Sequence, residues 1–346
     1  MSAPLLRTPG SWRRNLAGVL ILAVPLALLP LVFSSPYALS NLILIGINTM
    51  IVIGLCLLMG YAGQISLGQA AFFGMGAYGS AVLTTRYGWS PWLAMPLTAA
   101  GTGLIAYSIG MPIFRLRGHY LVMGTLAFGV IVHIVLTQWR EVTGGPSGLP
   151  GIPRLALGSL VLRTDLSYYY LVWGVCLLSL LIALNLVESR FGRALRAIRD
   201  SQVAAESLGI EVGRYKLQTL AISAVYASVA GSLYAHYVTF ISPGAADMGS
   251  SIRLVLMAAV GGMASIWGAP FGTAAVILLT LALREVMPLF TRHGGGEHQI
   301  IAYGLLLVGI MIFLPRGLAP ALTQWWRRIG LAERLQTGLR TIVRRR

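Results

Sequence analysis

Residues 188–216 read ESRFGRALRAIRDSQVAAESLGIEVGRYK and form a polar, basic segment between two long apolar segments. Arginines recur at every third position of its first half: Arg193, Arg196 and Arg199. Apolar side chains recur there at steps of three and four: Phe191, Leu195 and Ile198. Side chains at these spacings share one face of an α-helix, and the two sets lie on different faces. The first half is therefore predicted to be an amphipathic helix.

The second half of this segment carries helix start and stop signals. Asp200 and Ser201 can cap a short helix, because their side-chain oxygens accept hydrogen bonds from the unpaired amides at a helix start. Gly209 can end that helix, since glycine enters the left-handed conformation without steric cost. Two interpretations stay open at this point. The segment is either a membrane-surface helix whose arginines contact anionic lipid head groups, or a docking element for a cytoplasmic partner.

The composition of the whole chain is that of a protein with many membrane spans. Hydrophobic residues make up 56% of its 346 residues, charged residues make up 10%, and the mean hydropathy is +0.77. Soluble domains carry about 25% charged residues. The formal net charge is +16, but the arginines lie at the ends of apolar segments, which indicates a membrane orientation signal. We therefore expect a lipid bilayer around the chain and no nucleic-acid partner.

Apolar segments of about 17 to 25 residues are long enough to cross the hydrocarbon core of a bilayer. The candidates are residues 16–33, 41–59, 67–85, 92–114, 120–139, 168–187, 217–241 and 303–314 with a few residues before it. Residues 252–266 and 271–283 are apolar but short, with Trp267-Gly268-Ala269-Pro270 between them. The prediction is an all-α polytopic membrane protein, a single transmembrane domain over residues 1–346. It has about ten transmembrane helices, or eight if residues 252–283 form one re-entrant or broken element.

The distribution of basic residues predicts the orientation of these spans. With the N-terminus inside and ten crossings, the outer side receives only Arg86, Arg140, Arg154, Arg163, Arg253, Arg284 and Arg292 of the 26 basic residues. An excess of Lys and Arg marks the cytoplasmic side of a membrane protein. Both termini, the 188–216 loop and a basic tail at residues 317–346 are therefore predicted to be cytoplasmic.

The charged residues also narrow the class of function. All ten acidic residues lie in loops or at segment ends, so no acidic relay of the kind found in proton-coupled transporters is present. The only lysine is Lys216, which has no glycine before it and no Ser or Thr after it, whereas a phosphate-binding loop needs Gly-Lys followed by Ser or Thr. Two classes remain: a transport subunit driven by a separate ATPase, or a passive channel or membrane-embedded enzyme. We expect this chain to bind no cofactor or metal itself.

Two groups of polar residues inside apolar segments are candidates for a translocation pathway. Gln64, Ser66 and Gln69 lie in the glycine-rich stretch GYAGQISLGQ at residues 60–69. The glycines there fit close helix packing, while unpaired amides in hydrocarbon favour a helix break or a wet pathway. His133 is the one histidine well inside a predicted span. It is either an inter-helix hydrogen-bonding residue or a pathway residue.

The chain resembles the permease subunits of branched-chain amino acid ABC importers, specifically the LivM type. The resemblance covers roughly residues 41–320 and rests on several motifs in order. They are GYAGQISLGQ (60–69), RGHY (117–120), TLAFG (125–129), TGG (143–145), SRFGRALRAIR (189–199), GG (261–262) and PRG (315–317). Urea and short-chain amide permeases share much of this pattern, so they are the alternative within the same class.

This resemblance implies a permease of the bacterial inner membrane with specific partners. They are a second, related permease, two cytoplasmic ATPases that use ATP and Mg, and a periplasmic substrate-binding protein. It also implies that residues 204–209 correspond to the loop that couples such permeases to their ATPases, although this chain reads Ala-Ala-Glu where the family pattern is of the Glu-Ala-Ala type. The predicted coupling residues are Arg193, Arg196, Asp200, Ala204, Ala205, Glu206 and Gly209.

Overall fold

The computed structural model of the protein describes residues 11–33, 35–116, 118–157, 160–161, 164–290 and 304. Its helices are α1 (Ser11–Val32), α2 (Pro36–Leu55), α3 (Gln69–Thr85), α4 (Pro91–Ile113), α5 (His119–Gln138), α6 (Arg140–Thr143), α7 (Asp165–Glu188), α8 (Arg190–Asp200), α9 (Gln202–Ser207), α10 (Val212–Val238), α11 (Met248–Gly261) and α12 (Gly268–Phe290). α2 continues as a π-helix (Cys56–Tyr61), and 3₁₀-helices span Gly145–Ser147 and Pro243–Ala246.

The described residues also contain four two-residue strands. They are β1 (Leu149–Pro150), β2 (Ala156–Leu157), β3 (Leu160–Val161) and β4 (Phe240–Ile241). β1 pairs with β4 and β2 with β3, both antiparallel. Leu149 lies opposite Ile241 and Pro150 opposite Phe240, so the loop after α5 is joined to the segment after α10.

The predicted helical membrane protein is confirmed for the part of the chain that the structure describes. Six helices there are long and apolar enough to cross a membrane: α1, α2 with its π-helix, α4, α5, α7 and α10. α3 has 17 residues and lies among them. The predicted span at residues 303–314, apart from residue 304, and the basic tail at 317–346 lie outside the described residues. The total of ten crossings and the position of the termini therefore stay predictions.

Residues 1–255 form one of two compact units in the chain. The helices of this unit that pack on α10 run either parallel or antiparallel to it. α3 and α10 are parallel, since Gln69 contacts Ser223 and Ser80 contacts His236. α2, α4 and α7 run antiparallel to α10. The pairs that fix these directions are Ser40–Tyr237 and Gly54–Ser223 for α2, Gly103–Val225 and Gly110–Leu217 for α4, and Tyr168–Leu233 and Ser179–Tyr226 for α7.

Small residues bring α3 and α10 into close contact. A Cβ atom on Gly76 would overlap the backbone of Ser228, and one on Gly231 would overlap the carbonyl of Phe73. The Ser232 hydroxyl donates a hydrogen bond to the Gly76 carbonyl oxygen at 3.1 Å. Helices in lipid associate through such close backbone packing and interhelical hydrogen bonds. α3 and α10 therefore form the tightly packed centre of this unit.

The predicted broken element, residues 252–283, lies within α11, α12 and the segment that joins them. α11 ends at Gly261 and α12 begins at Gly268, so the prediction that residues 267–270 form the break was wrong by several residues. Gly262 has a φ of 96°, which glycine adopts without strain. Pro270 lies in the first turn of α12, where its missing N–H removes no intrahelical hydrogen bond.

Candidate functional site

The 188–216 loop has the local structure that its sequence predicts. Ser189 caps α8 by accepting from the Phe191 amide at 3.1 Å, and Ser201 caps α9 by accepting from the Ala204 amide at 3.3 Å. Gly209 follows α9 with a φ of 78°, and its amide donates to the Glu206 carbonyl oxygen. The prediction of a helix, a cap, a short helix and a glycine stop is confirmed, with Ser201 as the cap; Asp200 does not cap α9, because it is the last residue of α8.

α9 and the residue that follows it carry exposed apolar side chains. Val203 is 75% exposed and Leu208 is 79% exposed, while Ala204, Glu206 and Gly209 are also exposed. Ala205 points the other way: it is buried against Ile198 of α8 and Val212 of α10. Ala205 therefore anchors α9, and the surface available to a partner consists of residues on both sides of it.

Arg193 and Arg196 hold α8 against the end of α7. The Arg193 guanidinium donates to the Glu188 carbonyl oxygen at 3.2 Å, and that of Arg196 donates to the Val187 carbonyl oxygen at 3.1 Å. The last carbonyl groups of a helix lack intrahelical partners and attract positive charge. Both arginines thus stabilise the turn from α7 into α8. Asp200, at the end of α8, is exposed.

The connector between α2 and α3, residues 62–68, is not helical and contains two of the predicted pathway residues. Gln64 and Ser66 are buried. The Gln64 side-chain amide donates to the Ala62 carbonyl oxygen at 3.0 Å, and the Ser66 hydroxyl accepts from the Gly68 amide. The Leu67 amide donates to the hydroxyl of Thr125 on α5. Side chains therefore satisfy the backbone that lacks a helical partner at the start of α3.

Gln69, the first residue of α3, makes a polar contact in the middle of the packed helices. Its side-chain nitrogen donates to the carbonyl oxygen and the hydroxyl oxygen of Ser223, both at 2.9 Å. Its side-chain oxygen is buried and has no hydrogen-bond partner among the described residues. Leaving a buried acceptor unpaired costs about 1–3 kcal/mol. The start of α3 therefore holds an acceptor that water or a ligand can satisfy.

The chain from the end of α10 to the first turn of α11, residues 239–251, runs back along α3 and includes β4 and the 3₁₀-helix Pro243–Ala246. Ala246 lies against Gly74 of α3, and the Ser251 hydroxyl accepts from the Ala70 amide at 3.1 Å. The chain at residues 239–251 thus descends beside α3 toward Gln69. Residues 239–247 form no α-helix. Backbone of this kind in a membrane protein is buried in protein or lines a cavity, and interrupted helices form the substrate sites of many transporters.

His133 lies near this segment and apart from the other predicted pathway residues. Its Nδ1 is 3.1 Å from the Pro243 carbonyl oxygen, so this nitrogen carries the proton. Thr125, which contacts the 62–68 connector, is eight positions earlier on the same helix α5, about 12 Å along the helix axis. The structure thus buries Gln64, Ser66 and Gln69 at the connector and the start of α3, and it places His133 as an inter-segment hydrogen-bond donor.

The polar partners of these residues come from distant parts of the sequence. Ser223, Thr125 and Ser251 were not among the predicted site residues, because a serine or threonine in an apolar helix commonly bonds within its own helix and gives no separate signal. Within the described residues, no three His, Cys, Asp or Glu side chains are grouped in a way that could hold a metal ion.

Comparison with known proteins agrees with this architecture. Residues 37–315 match the model of the family described as branched-chain amino acid transport system, permease component. The chain belongs to this family. It is 33% identical, over 85% of its length and 74% of the relative's, to the high-affinity branched-chain amino acid transport system permease protein LivM of Escherichia coli K12. LivM of Salmonella typhimurium is 32% identical over the same shares of both chains.

Another relative is the permease protein LivH of Salmonella typhimurium, which is 25% identical over 78% of this chain and 90% of its own length. No solved structure matches the chain. Family membership and the apolar helices together identify a multi-pass membrane protein that acts as a transport permease and not as an enzyme.

Proposed function

We propose that the chain is the permease subunit of an ATP-driven, binding-protein-dependent importer of leucine, isoleucine and valine. It forms the translocation pathway with the second permease and takes its energy from two cytoplasmic ATPases, which bind ATP and Mg. A periplasmic substrate-binding protein delivers the amino acid. The observation that carries the proposal is the exposed, apolar-tipped helix α9 on a permease of the branched-chain amino acid family.

α9 has the features of an element that docks onto another protein. Val203 and Leu208 are apolar and exposed, while Ala205 and the Lys216–Gln202 hydrogen bond, at 3.0 Å, fix the helix to the rest of the chain. Exposed apolar side chains on a rigid support gain free energy when a partner covers them. A helix that only rested on lipid head groups would not need this anchoring. The 188–216 loop is thus the proposed coupling loop.

The charges at the two ends of the helices support a cytoplasmic position for this loop. The end that carries α8 and α9 also carries Arg13, Arg14, Arg115, Arg190, Arg193, Arg196, Arg199, Arg214 and Lys216, whereas Arg86, Arg140 and Arg154 lie at the opposite end. The positive-inside rule assigns the first end to the cytoplasm. The proposed location is the inner membrane of a bacterium, with both termini in the cytoplasm.

The proposed pathway runs beside the first half of α3. The 62–68 connector leads into α3, residues 239–251 pack beside it through Ala246 and Ser251, and the unpaired side-chain oxygen of Gln69 lies at the start of the helix. A substrate ammonium group or a water molecule can donate to that oxygen. Gln64 and Ser66 keep the connector folded in a buried position. His133 keeps residues 239–247 in place through Pro243.

The proposal is tested by transport in reconstituted vesicles. The complete complex is assembled with the second permease, the ATPases and the binding protein, and uptake of leucine, isoleucine, valine and urea is measured with and without ATP. We expect ATP-dependent uptake of the three amino acids. Uptake of urea and not of the amino acids would indicate a urea or short-chain amide permease. Equal uptake with and without ATP would indicate a passive channel. Loss of copurifying ATPase on changing Glu206 or Gly209 would further support the coupling loop.

A further inference from the structure

Arg199 joins the coupling loop to the connector between α2 and α3. Its Nη1 donates to the Gly60 carbonyl oxygen at 2.5 Å. Gly60 is buried in the π-helix that ends α2, and its carbonyl is one of the last of that helix. A guanidinium donor to a helix-terminal carbonyl makes a charge-assisted hydrogen bond that is roughly twice as strong as a neutral one. Arg199 is the one loop arginine, among the described residues, seen to bond outside α7 and the loop.

Gly63, the second residue of the connector, lies next to Arg199. Its φ is 66°, a left-handed conformation that favours glycine. A Cβ atom on Gly63 would lie 3.4 Å from Arg199 Cγ and 3.6 Å from Arg199 Cα. The backbone of α8 therefore rests directly on the connector. The side chain of Arg199 therefore holds the end of the π-helix, and its backbone packs against the first residues of the connector.

Arg199 is also connected to α9, the helix proposed to contact the partner, through its neighbour Ile198. Ile198, its neighbour in sequence, is buried against Ala205 of α9 and Val212 of α10. Beyond the connector, Leu67 bonds to Thr125 of α5, and Gln69 bonds to Ser223 of α10. A continuous series of packed or hydrogen-bonded residues thus runs from α9 through Arg199 to the proposed pathway at the start of α3.

We propose that Arg199 is the positioning residue through which movement of α8 and α9 is transmitted to the 62–68 connector. The inference rests on the proposed function, because it assumes that a partner ATPase moves the loop. When α8 shifts, the Arg199 guanidinium moves the end of the π-helix and Gly63 with it. The connector then displaces the start of α3 and the Gln69 side chain against Ser223. Arg199 contacts no substrate in this mechanism.

The test compares coupling in variants of α8 within the complete reconstituted complex. Arg199→Gln removes the charged donor, Arg199→Lys keeps a cationic donor, and Arg190→Gln makes the same charge change at an exposed position of the same helix. We measure leucine uptake and ATP hydrolysis on the same vesicles. We expect Arg199→Gln to transport about tenfold less leucine per ATP while hydrolysis continues, as for the loss of one charge-assisted hydrogen bond. Arg199→Lys should restore part of the ratio, and Arg190→Gln should match the wild type.

An unchanged ratio in Arg199→Gln would overturn the inference, provided that the wild-type complex itself shows ATP-dependent uptake. Failure of the wild type would instead overturn the proposed function. A purely structural role for Arg199 would lower uptake and hydrolysis together and leave their ratio unchanged.

Hydrogen exchange on the wild-type complex tests the same link without relying on a variant that folds. A non-hydrolysable ATP analogue with Mg should change the exchange of residues 62–68 together with that of residues 198–208. A response confined to residues 198–208 would contradict transmission to the connector.

Discussion

Removal of the exposed apolar side chains of Val203 in α9 and of Leu208, which follows α9, should weaken binding of the ATPase without destabilising the permease. Complete burial of a leucine or valine side chain is worth about 1.5–3 kcal/mol. Val203 and Leu208 are 75% and 79% exposed, so most of that free energy is still available to a partner. Replacing either with alanine should weaken binding by about 1.5 kcal/mol, which is about tenfold, and the double variant by about 100-fold.

The assay is the equilibrium binding of purified ATPase subunits to the permease in nanodiscs, at constant salt. Leu93→Ala is the matched control, because Leu93 is 64% exposed on α4, at the end of that helix away from the loop. The thermal unfolding midpoint of all variants should equal that of the wild type, since the truncated side chains have little buried area. Wild-type affinity in the Val203→Ala, Leu208→Ala double variant would refute docking through α9.

Three further predictions concern the helices around the proposed pathway. Gly76→Ala should destabilise the permease by about 1–3 kcal/mol, because the added Cβ would overlap the Ser228 backbone. Gly101→Ala should not, because Gly101 has open space around it. Thermal unfolding in detergent measures both variants. Gln69→Leu should reduce leucine uptake severalfold with assembly intact, whereas Thr102→Val, a buried polar position on α4, should transport normally. His236→Phe should lower the stability of the permease by about 1–3 kcal/mol. The His236 ring nitrogens lie 2.7 Å from the Pro153 carbonyl oxygen and 2.8 Å from the Ser80 hydroxyl, and phenylalanine leaves both groups without their partner. Equal unfolding midpoints would contradict this.

The sequence predicted the parts of the candidate site that depend on neighbouring residues. The three-residue spacing of Arg193, Arg196 and Arg199 predicted α8, and Ser201 and Gly209 predicted where α9 begins and ends. Helix periodicity and capping act over only three or four positions, so the sequence is enough to recognise them. It did not predict that Ala205 is buried beneath α9. A single exposed turn gives no periodic signal, so only contact with Ile198 and Val212 assigns that side chain to the interior.

By itself, the sequence determined that the chain crosses a membrane, that it does so as helices, and where most of those helices lie, since the length and apolarity of each segment act locally. It also determined the charged, capped loop at residues 188–216. Tertiary structure alone decided that α3 and α10 pack in parallel, that residues 239–251 descend along α3, and that Arg199 holds Gly60. These contacts join positions about 140 to 180 residues apart, and which side chains meet there depends on the packing of complementary surfaces. The capped helices of the 188–216 loop are therefore recognisable from the sequence, while the connection of this loop to the start of α3 is visible only in the fold.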